Sequence, residues 1–155
     1  MSERTRDEVR CRSASLEEIL SLREAIIIAG TNRPSEFPGD RDAATIHFGA
    51  FIGDENVCCG TFMLNEWFDE PAYQLRGMAT KPELRARGIG AAMLAEAERY
   101  IAEHTAVRQL WCSARIGAVH FYKGIGWSVA SDIYDVPNIG PHRKMCKRIE
   151  LALRD

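Results

Sequence analysis

The sequence predicts a layered α/β (α+β) fold, a β-sheet covered by helices, on three observations. Strand and helix periodicities alternate along the chain without internal repeats. A capping box opens the first helix. Three strand-like segments then run into a glycine-bearing junction that opens a second, strongly periodic helix.

Val9 to Ser13 reads as a short strand. Ser15 follows as an N-cap, and Glu18 three residues on completes the capping box. Leu16, Ile19, Leu20, Arg23, Ile26 and Ile27 recur at helical spacing until Gly30 stops the helix. Pro34, Pro38 and Gly39 make Thr31 to Asp42 a loop. Strands are expected at Thr45 to Ile52, Val57 to Asn65 and Ala72 to Thr80, the first two joined by the hairpin turn Gly53-Asp54-Glu55-Asn56. Pro82 ends the third of these. A helix from about Gly88 to Glu103 turns Ile89, Met93, Leu94, Ala97, Tyr100 and Ile101 inward. Gln109 to Ser113 is a strand, Ile116 to Lys123 a short helix, Trp127 to Val129 a strand, and Arg143 to Leu151 the last strand. The order is β-α-loop-β-β-β-α-β-α-β-β.

A length of 155 residues suits one domain, residues 1 to 155, with a real core. Composition is that of an ordinary globular chain, 46% hydrophobic and 27% charged. The net charge of −2 argues against a nucleic-acid partner. No apolar run approaches membrane-spanning length, and the charged stretch Met1 to Arg12 has no signal-peptide core. Five cysteines, odd in number and without C-x-x-C spacing, fit reduced thiols and a cytoplasmic protein, not a disulfide framework or a metal site.

The chemistry concentrates where the third hairpin strand meets the long helix, Met78-Ala79-Thr80-Lys81-Pro82-Glu83-Leu84-Arg85-Ala86-Arg87-Gly88-Ile89-Gly90-Ala91. A strand turning through glycines into a helix exposes backbone N–H groups at the positive end of the helix dipole. That arrangement suits a pyrophosphate. Arg85 and Arg87 add positive charge. Gly-x-Gly-x-x-Gly and the P-loop Gly-Lys-Ser/Thr are both absent.

Arg85-Ala86-Arg87-Gly88-Ile89-Gly90 resembles the R-x-x-G-x-G coenzyme A signature of the GCN5-related N-acetyltransferase (GNAT) superfamily. Ala118-Val119-His120-Phe121-Tyr122-Lys123-Gly124-Ile125-Gly126-Trp127 resembles that family's second motif, in the family's order. The likeness spans about Thr45 to Leu151. It implies a central, mostly antiparallel mixed sheet, splayed between its fourth and fifth strands and flanked by helices. It also implies acetyl-CoA as cosubstrate and a small-molecule or peptide amine as acceptor. Dimers are common in the family, so a homodimer is allowed. Nucleic acid, membrane and metal are not expected.

Carried over by motif, Met78, Ala79 and Thr80 would pair with the pantetheine arm as a substitute strand. Amides of Arg85, Ala86, Arg87, Gly88, Ile89, Gly90 and Ala91 would hold the pyrophosphate. The Met78 N–H would polarise the thioester carbonyl. Tyr122 stands at the general-acid position, with ring packing and a structural hydrogen bond as its alternative role.

The family's general base has no counterpart. Gln74 and Leu110 occupy the two usual carboxylate positions, and Arg115 replaces a frequent asparagine. Deprotonation of the amine through water is therefore expected. Asp40, Asp42, Glu66, Asp69 and Glu70, on loops that border the acceptor side in the family, suggest a mildly acidic rim favouring a cationic acceptor. His47, His120 and His142 read as structural. The alternatives to acetyl transfer are transfer of another acyl group, such as succinyl or propionyl, and a non-catalytic CoA-binding module.

Overall fold

The computed structural model describes residues 8–150. Its strands are β1 (Val9–Ala14), β2 (Ile46–Ile52), β3 (Glu55–Trp67), β4 (Glu70–Thr80), β5 (Gln109–Arg115), β6 (Ser128–Val129), β7 (Tyr134–Val136) and β8 (Gly140–Arg148). Its helices are α1 (Leu16–Arg23), α2 (Ile89–His104) and α3 (Val119–Gly124). The strands form one sheet in the order β1-β2-β3-β4-β5-β8-β6, with β7 added on β8. Every pairing is antiparallel except β4 with β5.

Alternation along the strands distributes the core between two layers. Cys58 joins the larger cluster, in which Met93, Leu94, Ala97 and Ile101 of α2 and Tyr122 of α3 pack on the sheet. Its neighbour Cys59 faces the other way and packs with Leu16, Ile19 and Leu22 of α1. Strand β2 sits between β1 and β3 under both layers, and all but its first residue are buried. Ser15 caps α1, accepting from the Glu18 amide while the Glu18 carboxylate accepts from the Ser15 amide.

Four local features differ from the sequence expectation. The first helix does not run evenly to Gly30: after Arg23 it widens into a π-turn over Glu24–Ile28, closed by the Ala29 amide on the Glu24 carbonyl at 2.8 Å. Strands β3 and β4 extend past Asn65 and Ala72 to a two-residue turn, Phe68-Asp69. Both turn residues have positive φ, as a tight hairpin requires, yet neither is glycine, so the usual signal is missing. Three-residue β7 was too short to register, and it draws the start of β8 back from Arg143 to Gly140. Strand β8 ends at Arg148, and Leu151 lies outside the described residues. Among the described residues no helix is long and apolar enough to cross a membrane.

Candidate active site

The parallel β4–β5 pairing lasts only from Ala72↔Gln109 to Leu75↔Cys112. Beyond it, Arg76–Thr80 and Ser113–Arg115 diverge without partnering each other. The cause lies on the other edge of β4. Cys59 pairs with Ala79 and Thr61 with Arg76, so two residues of β4, Gly77 and Met78, oppose the single residue Gly60. This bulge bends β4 away from β5. Gly77 takes φ +65°, and a Cβ there would stand 3.1 Å from the Phe37 ring and 3.2 Å from Arg23 Nε, so glycine is required on two counts.

The divergence opens a cleft of about 990 Å³. One wall carries Met78, Ala79 and Thr80, and the floor carries Arg85, Ala86, Gly88, Ile89, Gly90 and Ala91. Arg87 is exposed and is not among the lining residues. The start of α2 is built to leave donors free. Gly88 is its N-cap at φ 80°, ψ 5°, and offers no side-chain oxygen to the helix amides. The first helical hydrogen bond is Ala92 N–H to the Gly88 carbonyl, at 3.0 Å. The amides of Ile89, Gly90 and Ala91 therefore have no acceptor among the described residues. A Cβ on Gly88 would meet nothing within 4 Å, so that backbone is open to an approaching group. Gly90 plays a different part: its Cβ would stand 3.2 Å from Met78 Cε and 3.4 Å from Phe121 Cζ, so its smallness lets α2 pack against β4 and α3.

Tyr122 lines the same cleft while only 6% exposed, its ring against Phe121 and Trp127. Burial pushes its phenol well above the usual tyrosine range, and Cys112 and Cys58 add to the rise. Burial likewise lifts the thiols of Cys112 to about 12 and Cys58 to about 11. All three groups stay protonated, and Tyr122 can donate.

At the acceptor end the structure corrects the sequence expectation of an acidic rim. Asp40 is not on the rim: its side chain is 1% exposed and pairs with Arg23, itself 0% exposed, at 2.7 Å. Burial alone would raise its pKa, but hydrogen bonds from Arg23 and the Phe37 amide hold it below the usual carboxylate range. Thr61 accepts from Arg23 at 2.8 Å and lies 2.8 Å from His47 Nδ1, whose Nε2–H donates to the Asp40 carbonyl at 2.9 Å. His47 is structural, as expected. Glu66 pairs across the hairpin with Pro71, and Glu70 meets Arg148 at 2.8 Å. Among the described residues the cleft lining contains Arg33, Arg76, Arg85 and Arg115 but no Asp or Glu. Arg85 belongs to the R-x-x-G-x-G motif, whereas Arg33, Arg76 and Arg115 come from widely separated elements and belong to no site predicted from the sequence.

Gln74 lines the cleft, whereas Leu110 is wholly buried in the core beneath α2. The Trp111 indole donates to Asn65 Oδ1 at 2.9 Å, and Asn65 Nδ2 donates to Gln74 Oε1 at 2.8 Å. An indole N–H only donates, so it sets the direction of both bonds and leaves Gln74 with its NH2 free. His142 also lines the cleft, which its sequence context did not suggest. Its Nδ1–H donates to the Gly140 carbonyl at 2.8 Å, so Nε2 carries the ring's free lone pair.

The profile of the acetyltransferase (GNAT) family matches residues 16–127. The chain belongs to this family. As a GNAT protein it is an acyltransferase that moves the acetyl group of acetyl-CoA to an amine. Over 148 residues it is 28% identical to the uncharacterized N-acetyltransferase YitI of Bacillus subtilis (strain 168), covering 91% of this chain and 97% of that one. Among solved structures it resembles Escherichia coli ElaA, with a TM-score of 0.76 at 16% identity over 90% of this chain and 99% of that one. It also resembles an aminoglycoside 6'-N-acetyltransferase complexed with coenzyme A, with a TM-score of 0.72 at 12% identity over 94% and 99% of the two chains. The splayed GNAT sheet expected from the sequence is the one observed.

Proposed function

We propose that this GNAT domain binds CoA along the open edge of β4 and acetylates a small-molecule amine in the cytoplasm, with Tyr122 as general acid. The observation that carries this reading is the loss of β4–β5 pairing after Leu75 and Cys112, directly beside a buried tyrosine. The β5-facing edge of Met78, Ala79 and Thr80, left without a strand partner, suits the amide-bearing pantetheine as a missing strand. The free amides of Ile89, Gly90 and Ala91, with Arg85 beside them, suit a pyrophosphate. The five cysteines, all free, suit a reducing compartment.

Acetyl-CoA supplies the thioester. In the balanced reaction the amine nitrogen forms the amide bond, the carbon–sulfur bond breaks, the amine loses one proton and the sulfur gains one. Tyr122 holds the proton for sulfur. Burial keeps its phenol protonated, so the proton is in place to move only as thiolate charge develops. The Met78 amide holds the carbonyl oxygen. Among the described residues no carboxylate lines the cleft, which favours removal of the amine proton through water. The free Nε2 of His142 supports a second route, with that imidazole as the proton's destination. Thiol release from acetyl-CoA, measured against a panel of amines, tests the function. Release no faster than hydrolysis with every amine would overturn it.

A further inference from the structure

Arg76 is a half-buried cation whose surroundings leave it uncompensated. Among the described residues its one hydrogen-bond acceptor is the weak thioether of Met63, with Nη1 to Sδ at 3.9 Å, and its guanidinium lies 4.8 Å from the centre of the Phe37 ring. The nearby carboxylate is already used. Both Asp40 oxygens accept from Arg23, at 2.7 and 3.1 Å, and Oδ2 also accepts from the Phe37 amide at 2.6 Å. Burial, and then the charges of Arg23 and Arg33, pull the Arg76 pKa down against a partial offset from Asp40. A guanidinium carries five N–H donors, and those turned away from solvent need acceptors.

The groups around Arg76 are also donors. Arg33 lines the cleft on the loop after α1, anchored by Nη2 to the Ile27 carbonyl of the π-turn at 3.0 Å, and has no carboxylate partner among the described residues. Gln74, two residues before Arg76 on β4, has its carbonyl engaged by Asn65 and its NH2 without an acceptor among the described residues. Phe37 lies 4.0 Å from Arg23 and 4.8 Å from Arg76, so the buried Arg23–Asp40 pair also steadies the face on which Arg76 rests. A plain cationic amine entering between such groups would be repelled, whereas an acceptor-only oxygen pair would satisfy them.

We propose that the amine acceptor also carries a carboxylate, seated by Arg76 with Arg33 and the Gln74 amide, so that the enzyme acts on amino-acid-class molecules. This rests on the acetyl-transfer reading for its substrate role. Planar, bidentate guanidinium geometry suits a carboxylate, and Arg76 lies about 13 Å along β4 from Thr80, clear of the pyrophosphate end.

The test compares kcat/KM, with acetyl-CoA, for the common amino acids, β-alanine and γ-aminobutyrate. Each is set against its decarboxylated amine, its primary amide and the matching aminoalkyl phosphate. The acids should be preferred on the order of tenfold to a hundredfold, the worth of hydrogen bonds to a charged group. In Arg76→Gln that preference should collapse toward unity through KM, and Arg76→Lys should restore part of it. Equal use of the decarboxylated amines overturns the proposal. So does preference for the phosphates, or an Arg76→Gln loss that is equal for acids and amines. Binding gives a readout without turnover: calorimetry on the CoA-saturated protein should show N-acetyl amino acids binding more tightly than their amides, and Arg76→Gln should abolish the difference. Selective binding with no turnover would sink acetyl transfer alone. Turnover without the selectivity would sink the carboxylate clamp alone.

Discussion

Replacing Asp40 with alanine should destabilise the protein far more than removal of any surface carboxylate. Arg23 and Asp40 have side chains 0% and 1% exposed, joined at 2.7 and 3.1 Å. Removing one partner strands a guanidinium in the interior, where one nitrogen, Nε, already lacks an acceptor. Breaking a buried pair costs about 3–5 kcal/mol. At about 2–4 °C per kcal/mol for a chain of this size, melting should fall by roughly 6–20 °C. By contrast, Arg41 pairs with Glu17 and Glu36 at 61% side-chain exposure, and Arg41→Ala should cost at most about 1 kcal/mol. Urea unfolding followed by tryptophan fluorescence reads both. The effect also has a pH signature. The folded Asp40 pKa is depressed, so its stabilisation is full above the unfolded carboxylate pKa of about 3.9 and fades as pH falls through the folded value. The gap between wild type and Asp40→Ala should therefore shrink in acid. A loss below about 1 kcal/mol at neutral pH, or a gap that does not change on acidification, would refute the argument.

Further outcomes are expected at the site itself. Gly88→Val should stay folded, at a cost of about 1–2 kcal/mol for a side chain at left-handed φ, yet lose most CoA affinity; near-wild-type binding by calorimetry would discount the α2 amides. Arg85→Ala should bind CoA better than Gly88→Val does. Tyr122→Phe should lower kcat by about 10²–10⁴ with little change in acetyl-CoA KM, and a loss under about threefold would leave Tyr122 only a packing role. Single alanine substitutions at Glu66, Asp69 and Glu70 should leave kcat near wild type, as should His142→Asn where water carries the proton away; a loss of about a hundredfold at any one of them would make that residue the base.

Much of the fold was legible because its signals are local. The Ser15–Glu18 capping box, the apolar stripe of α2 and the hairpin turn after β2 are each written within a few residues; the first two formed where expected, and the turn tightened to Gly53-Asp54 as Glu55 and Asn56 joined β3. The π-turn at Glu24–Ile28 was not legible, because it keeps the apolar content of a regular helix and changes only its winding. The Phe68-Asp69 turn was missed because it uses left-handed residues that are not glycine.

The site divides in the same way. Arg85-x-x-Gly88-x-Gly90 and the Tyr122 motif are contiguous, so the sequence by itself determined where the glycine-bearing loop and the buried phenol that line the cleft stand on the chain. The charge of the acceptor end was read with the wrong sign, because proximity in sequence was taken for proximity in space. Asp40 looked like a loop carboxylate, but Arg23, seventeen positions earlier, folds beneath it and removes it from the surface. Arg33, Arg76 and Arg115 lie far apart along the chain, and the β4 bulge at Gly77 and Met78 brings them to a single cleft. Local propensity selects elements and caps within a turn or two, whereas the field inside a cleft is a sum over groups that only packing brings together. That sum, and with it the kind of acceptor the enzyme can hold, was decided by the tertiary structure.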